Sequence, residues 1–235
     1  MTVAEDDRRA TRAVAVLLGL AAIAGVTWAF LPRMLGAAGG PEPELLAALR
    51  TAELARAAVP IAGAPAFTPR SLRFDRFTVR VEGDRASVVA TLDAAGTSGP
   101  VEVSSLGRER VQFVRRGGLW EPDGPIAPAL SGALAALWRR AALLSGSEVE
   151  ALGPLVVPAD RERALGDARL GAVLRVTQHR WEPRAWYLRS ERGEVQVTEE
   201  AVLTSASRDP EPRTGRLRLL PDGEAGVFVF AGTLL

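Results

Sequence analysis

Any chemistry in this 235-residue chain must be done without cysteine and without lysine, because neither occurs in it. That excludes a thiol nucleophile, thiolate metal ligation, a Schiff-base lysine, a Ser-Lys dyad and the phosphate-binding lysine of a P-loop. His179 is the single histidine, in Gln178-His179-Arg180-Trp181, with no carboxylates at ligand spacing around it. It reads as a strand histidine rather than a base or metal ligand. Glu199 and Glu200 have the residue types for paired acid and base work, but adjacency in sequence does not bring two carboxyls to one substrate. No G-x-S-x-G, H-E-x-x-H, G-x-G-x-x-G or D-x-D-x-D-G pattern is present. The expectation is a protein that is not an enzyme, with no catalytic residue, cofactor or metal.

What remains is arginine. All 29 basic residues are arginine, and asparagine is absent as well as lysine, a composition that points to a GC-rich bacterial genome. Arg73, Arg76, Arg80, Arg108, Arg110, Arg115 and Arg116 fall on expected strands, and the first five are candidates for an interface stripe against acidic partners, since arginine is favoured at interfaces. The competing reading is the wet face of a one-sided sheet, interleaved with Glu82, Glu102 and Glu109. Residues 41 to 124 carry 11 arginines against 11 acids, and residues 125 to 235 carry 14 against 14. Neither stretch has the excess a nucleic-acid binder needs, so nucleic acid is not an expected partner. Trp120, Trp138, Trp181 and Trp186 are candidates to line a pocket, with core packing the commoner role.

The element that positions all of this is the apolar run Ala13 to Leu31, nineteen residues without a charge. At about 1.5 Å per residue it spans roughly 28 Å, the thickness of a bilayer core. The run exceeds the roughly 7 to 15 apolar residues of a signal peptide, so an uncleaved single-pass anchor is expected, although Gly36-Ala37-Ala38 has the small residues of a cleavage site. Arg8, Arg9 and Arg12 precede the run and Arg33 alone follows it closely, which orients residues 1 to 12 as a cytoplasmic tail and the bulk of the chain as periplasmic, at the bacterial inner membrane. Ala21, Gly25 and Ala29, four apart, form a smooth stripe for packing against another transmembrane helix.

Residues 32 to 41 read as a linker. An α+β stretch over 42 to 124 is then expected: a helix with Leu45, Leu49, Ala52 and Val59, followed by a β-meander. In the first strand the alternation slips by one near Asp75-Arg76, which predicts a bulge. Ala86, Val88, Ala90 and Leu92 form the inward face of the next strand, Ala94 to Pro100 a loop, Gly107 a bend in the third strand and Leu119-Trp120 a short fourth. From 125 to 235 the pattern starts again, with a helix marked by Leu130, Leu134, Leu137, Ala141 and Leu144. A capped turn at Ser147 to Glu150 and a helix over Pro158 to Arg169 come next. Strands are predicted at Ala172 to Arg180, Ala185 to Ser190, Glu194 to Thr204, Thr214 to Leu220 and Gly226 to Leu234, with a turn at Glu182-Pro183.

An amino-terminal anchor, a linker and one or two units of helix plus curved antiparallel sheet resemble the NTF2-like (cystatin-like) superfamily in its membrane-tethered form. The resemblance covers residues 13 to 235 in outline and extends to the bitopic inner-membrane assembly factor of type IV secretion and conjugation systems. It implies a non-enzymatic, membrane-anchored assembly or scaffold subunit whose partners are other membrane-protein subunits or copies of itself. The alternative within the same fold is a small apolar ligand or lipid held in the sheet concavity. The Asn-Pro-x-Gly turn associated with that factor has no counterpart in a chain lacking asparagine, so no site residue carries over.

Overall fold

The computed structural model describes residues 41–146, 148–173, 179–205, 208–223 and 226–235. The expected anchor, with Ala21, Gly25 and Ala29, lies outside them. No helix among the described residues is long and apolar enough to cross a membrane. By contact density the chain divides into Met1–Ala47 and Ala48–Leu235.

Helix α1 (Pro41–Ala55) opens on proline and carries Glu42 and Glu44 in its first turn, where carboxylates face the positive end of the helix dipole. Strands β1 (Phe67–Glu82), β2 (Arg85–Ser98) and β3 (Val101–Arg116) follow as an antiparallel meander, with β4 (Leu119–Pro122) folded back on the end of β3. Helix α2 (Pro128–Ser145) comes next, followed by short 3-10 turns at Val149–Leu155 and Pro158–Asp160 and then helix α3 (Arg161–Val173). Strands β5 (His179–Glu191), β6 (Glu194–Ser205), β7 (Arg208–Pro221) and β8 (Phe228–Ala231) complete the chain.

The fold class is α+β, with helices against a curved sheet. The stretches 42–124 and 125–235 contribute four strands each to one sheet among the described residues, in the order β1-β2-β3-β5-β6-β7-β8 with β4 beside β3. That sheet is mixed rather than antiparallel throughout, because β3 and β5 run parallel from Glu102–Ala185 to Gly107–Ser190. The reason is the crossover: β4 reverses the chain, and the helical segment then returns it so that β5 enters in the direction of β3.

Several local expectations are corrected. Ala94 to Ser98 extends β2 instead of forming a loop. Residues 171–173 end α3 and do not start a strand. Glu182-Pro183 is no turn, since β5 runs through it and absorbs the proline in a register shift between Pro183 and Ala185. Glu148 precedes the first 3-10 turn without a side-chain cap, and Ser147 lies outside the described residues. The bulge read from the parity slip is present: the β1 register shifts between Asp75 and Thr78, with Arg76 at φ 55°.

The core lies between α2 and the sheet. Leu130, Leu134, Leu137 and Ala141 on the helix and Val88, Leu92, Val111, Phe113, Trp186 and Leu188 on the strands are all buried. At about 25 cal/mol per Å² this apolar burial is the main stabilising contribution in a chain without disulfides. Trp186 meets the Trp138 ring edge-on at 5.1 Å and 87°. Trp120 and Trp181 are buried too, whereas Trp138 is only half-buried.

Candidate functional site

Alternation along each strand sorts the polar residues onto two faces, and the two faces treat charge differently. On the helix side, the row Val195, Val197, Glu199, Ala201, Leu203 of β6 is buried throughout. Glu199 is 1% exposed and faces Arg140 of α2, which is fully buried. Arg140 Nη1 donates to both Glu199 carboxylate oxygens at 2.9 and 3.0 Å, and its Nε donates to the Leu234 carbonyl at 2.6 Å. Trp186 Nε1 donates to Glu199 Oε1 at 2.9 Å, and the guanidinium lies 5.2 Å from the centre of the Trp181 ring. Every Glu199 contact is thus to a fixed core group. Glu200, the next residue, is exposed on the opposite face, so the two carboxyls do not converge. His179 pairs with Ser205 at the start of β5, and its side chain lies outside the described residues.

Glu109 corrects another expectation. It lies in the inward row of β3 and not on the wet face with Glu82 and Glu102. Helix α2 begins at Pro128 with no side-chain cap of its own. Glu109 fills that role from across the fold, accepting from the backbone N–H groups of Ala129 at 2.7 Å and Leu130 at 2.9 Å. Burial pushes its carboxyl up to about 7, against the opposing effect of the two amide hydrogen bonds. A folded-state value above the ordinary 4.5 means that the native state is favoured below that pH and loses this contribution as pH rises through about 7. Relative to Glu109→Gln, which keeps an acceptor but does not titrate, the native protein should lose on the order of 2–3 kcal/mol between pH 4.5 and 8. Urea unfolding of both proteins across that range measures it, and parallel curves would show that Glu109 does not titrate there.

The outer face of the sheet is where unneutralised charge collects. Arg73 and Arg80 are on it, but each is paired within β1, with Asp75 at 2.9 Å and Glu82 at 2.6 Å. Among the described residues β1 is also a sheet edge beyond the bridge from Phe67 to Val59, and its arginines, Pro69 and two register shifts are the features that keep an edge from pairing with another chain. Arg76 is exposed at the bulge. Arg108 and Arg110 lie further in, opposite Thr91 and Val89, and neither side chain makes an ion pair or hydrogen bond among the described residues. Three arginines not singled out in the sequence behave the same way: Arg189 on β5 and Arg216 and Arg218 on β7, all exposed. Strand parity would have found them, since Tyr187, Arg189, Gln196, Thr198, Arg216 and Arg218 all have outward parity. Registers place Tyr187, Thr198 and Arg216 in one row across β5, β6 and β7, and Arg189, Gln196 and Arg218 in the next. Together they line an open groove of about 490 Å³. Leu106, 51% exposed, pairs with Arg189, and Tyr187 is 47% exposed.

A second groove, of about 570 Å³, is lined by Ala135, Ala136, Trp138 and Ala142 of α2 together with residues 62–65 and 226–228. It runs along α2. Among the described residues no three histidine, aspartate or glutamate side chains are grouped to hold a metal ion.

No known protein family matches the chain by sequence, and no curated protein does. Among solved structures it is similar to one described as an "Ntf2 like protein involved in plasmid conjugation", at 9% identity over 70% of this chain and 75% of that one, with a TM-score of 0.31.

Proposed function

We propose that this chain is a non-enzymatic assembly or scaffold subunit, anchored through residues 13 to 31 in the inner membrane and binding protein partners with a periplasmic body. The observation that carries the reading is the outer sheet face: Arg108, Arg110, Arg189, Arg216 and Arg218 are exposed without a carboxylate partner among the described residues, beside exposed Leu106 and Tyr187. Arginine, tyrosine and apolar side chains in one patch have the composition of a protein interface. The deeply buried carboxyls Glu109 and Glu199 each serve a structural bond, which supports a role without catalysis. The near-neutral charge of +1 argues against nucleic acid as the partner. The resemblance read from the sequence suggests a conjugation or type IV secretion complex as the setting.

Blue-native electrophoresis of the full chain after mild detergent extraction tests the assembly role: migration in a band larger than the monomer is expected, and a strictly monomeric band overturns the reading. A periplasm-dependent reporter fused after Leu235 should be active, and a silent fusion would reverse the proposed topology.

A further inference from the structure

We infer that the groove across β5, β6 and β7 is the docking site for an extended, acidic protein segment; this rests on the protein-binding role just proposed and names the chemistry of its partner. Arg216 and Arg218 are two residues apart on β7, and both point outward. In an extended chain, side chains on one side recur about every 6.6–6.8 Å, so a segment lying along β7 with acidic residues at alternate positions meets both guanidinium groups in turn. Arg189 flanks Gln196 from the other side, two strands from Arg218, and supplies a third cation. Tyr187 and Leu106 offer apolar surface at the β5 side of the groove.

Charge decides the occupant. None of the three arginines has an ion-pair partner among the described residues, whereas Arg73 and Arg80 on the same face do. Two exposed acids stand beside the cationic cluster, Asp93 opposite Leu106 and Glu200 beyond Thr198. Carboxylates interspersed on this face favour a short local acidic segment over a continuous polyanion or an anionic bilayer, which would meet them with repulsion.

The test uses the full chain in phosphatidylcholine nanodiscs and a fluorescein-labelled peptide of alternating glutamate and serine, with its lysine-serine counterpart as control. Anisotropy should report binding of the acidic peptide alone, weakened by added salt. Arg216→Glu/Arg218→Glu should weaken it about tenfold or more, the sum of two exposed charge pairs lost. Arg216→Gln/Arg218→Gln should fall between that variant and the native protein, and Arg80→Glu at the sheet edge should leave binding within about twofold. Equal loss from the edge variant, no loss from the groove variants, or capture by phosphatidylglycerol vesicles in place of the peptide overturns the inference. A large blue-native band that persists in Arg216→Glu/Arg218→Glu overturns the groove as the contact and leaves the assembly role standing, whereas a monomeric native protein removes that role first.

Discussion

Glu199→Ala is expected to destabilise the folded body by about 3–5 kcal/mol, the range for leaving one member of a buried ion pair without its partner. Arg140 is wholly buried, so its charge has no route to water once the carboxylate is gone. Its remaining bond is from Nε to the Leu234 carbonyl, and its Nη2 already has no partner. Trp186 Nε1 would be orphaned in the same step. Arg140→Met/Glu199→Leu should recover much of the loss, since an apolar pair of similar volume avoids desolvating two charges. Urea unfolding followed by tryptophan fluorescence is a suitable measurement because Trp186 donates to Glu199 and Trp181 lies against the Arg140 guanidinium. A Glu199→Ala cost under about 1 kcal/mol would mean that water reaches Arg140 and that the pair is not part of the core.

That pair shows what the sequence made legible and what it did not. Periodicity marks Leu130, Leu134, Leu137, Ala141 and Leu144 as the buried stripe of α2, and the slip at Asp75-Arg76 marks the bulge, because each signal is local and repeats at a fixed spacing. Arg140 sits three residues after Leu137 on the same stripe, and Glu199 sits between Val197 and Ala201 in an inward row. Helical spacing for Arg140 and strand parity for Glu199 therefore put both in the core, and reading charged residues as wet by default concealed it. The same default misplaced Glu109. Pairing is different in kind. Alternation says which face a residue occupies and nothing about which strand lies alongside, so the parallel join of β3 to β5 had no local signature. The outer groove was hidden for that reason as well: Arg189 and Arg218 are 29 positions apart in sequence and become neighbours only through the β5-β6-β7 register.

Gly107 is where that unsignalled join is most exposed to test. It is the last residue of β3 in the parallel ladder, opposite Ser190 of β5, and faces inward. A Cβ there would stand 2.6 Å from both the backbone nitrogen and the backbone oxygen of Ser190. Backbone atoms cannot rotate aside as a long side chain can, so a larger residue must push β3 and β5 apart. Six residue pairs, Glu102–Ala185 through Gly107–Ser190, make up the β3–β5 ladder that joins the two halves of the sheet. Gly107→Ala should therefore cost about 3 kcal/mol or more, at or beyond the upper end for overpacking, and Gly107→Val should leave the body unfolded. Gly117→Ala is the contrast: its φ of 58° also disfavours a side chain, but nothing lies within 4 Å, and a loss of about 1 kcal/mol is expected. Hydrogen exchange adds a positional readout, since in Gly107→Ala protection should fall first at 102–107 and 185–190. If Gly107→Ala matched Gly117→Ala in both midpoint and exchange, β3 and β5 would not approach as closely as described, and the single sheet would have to be reconsidered at that junction.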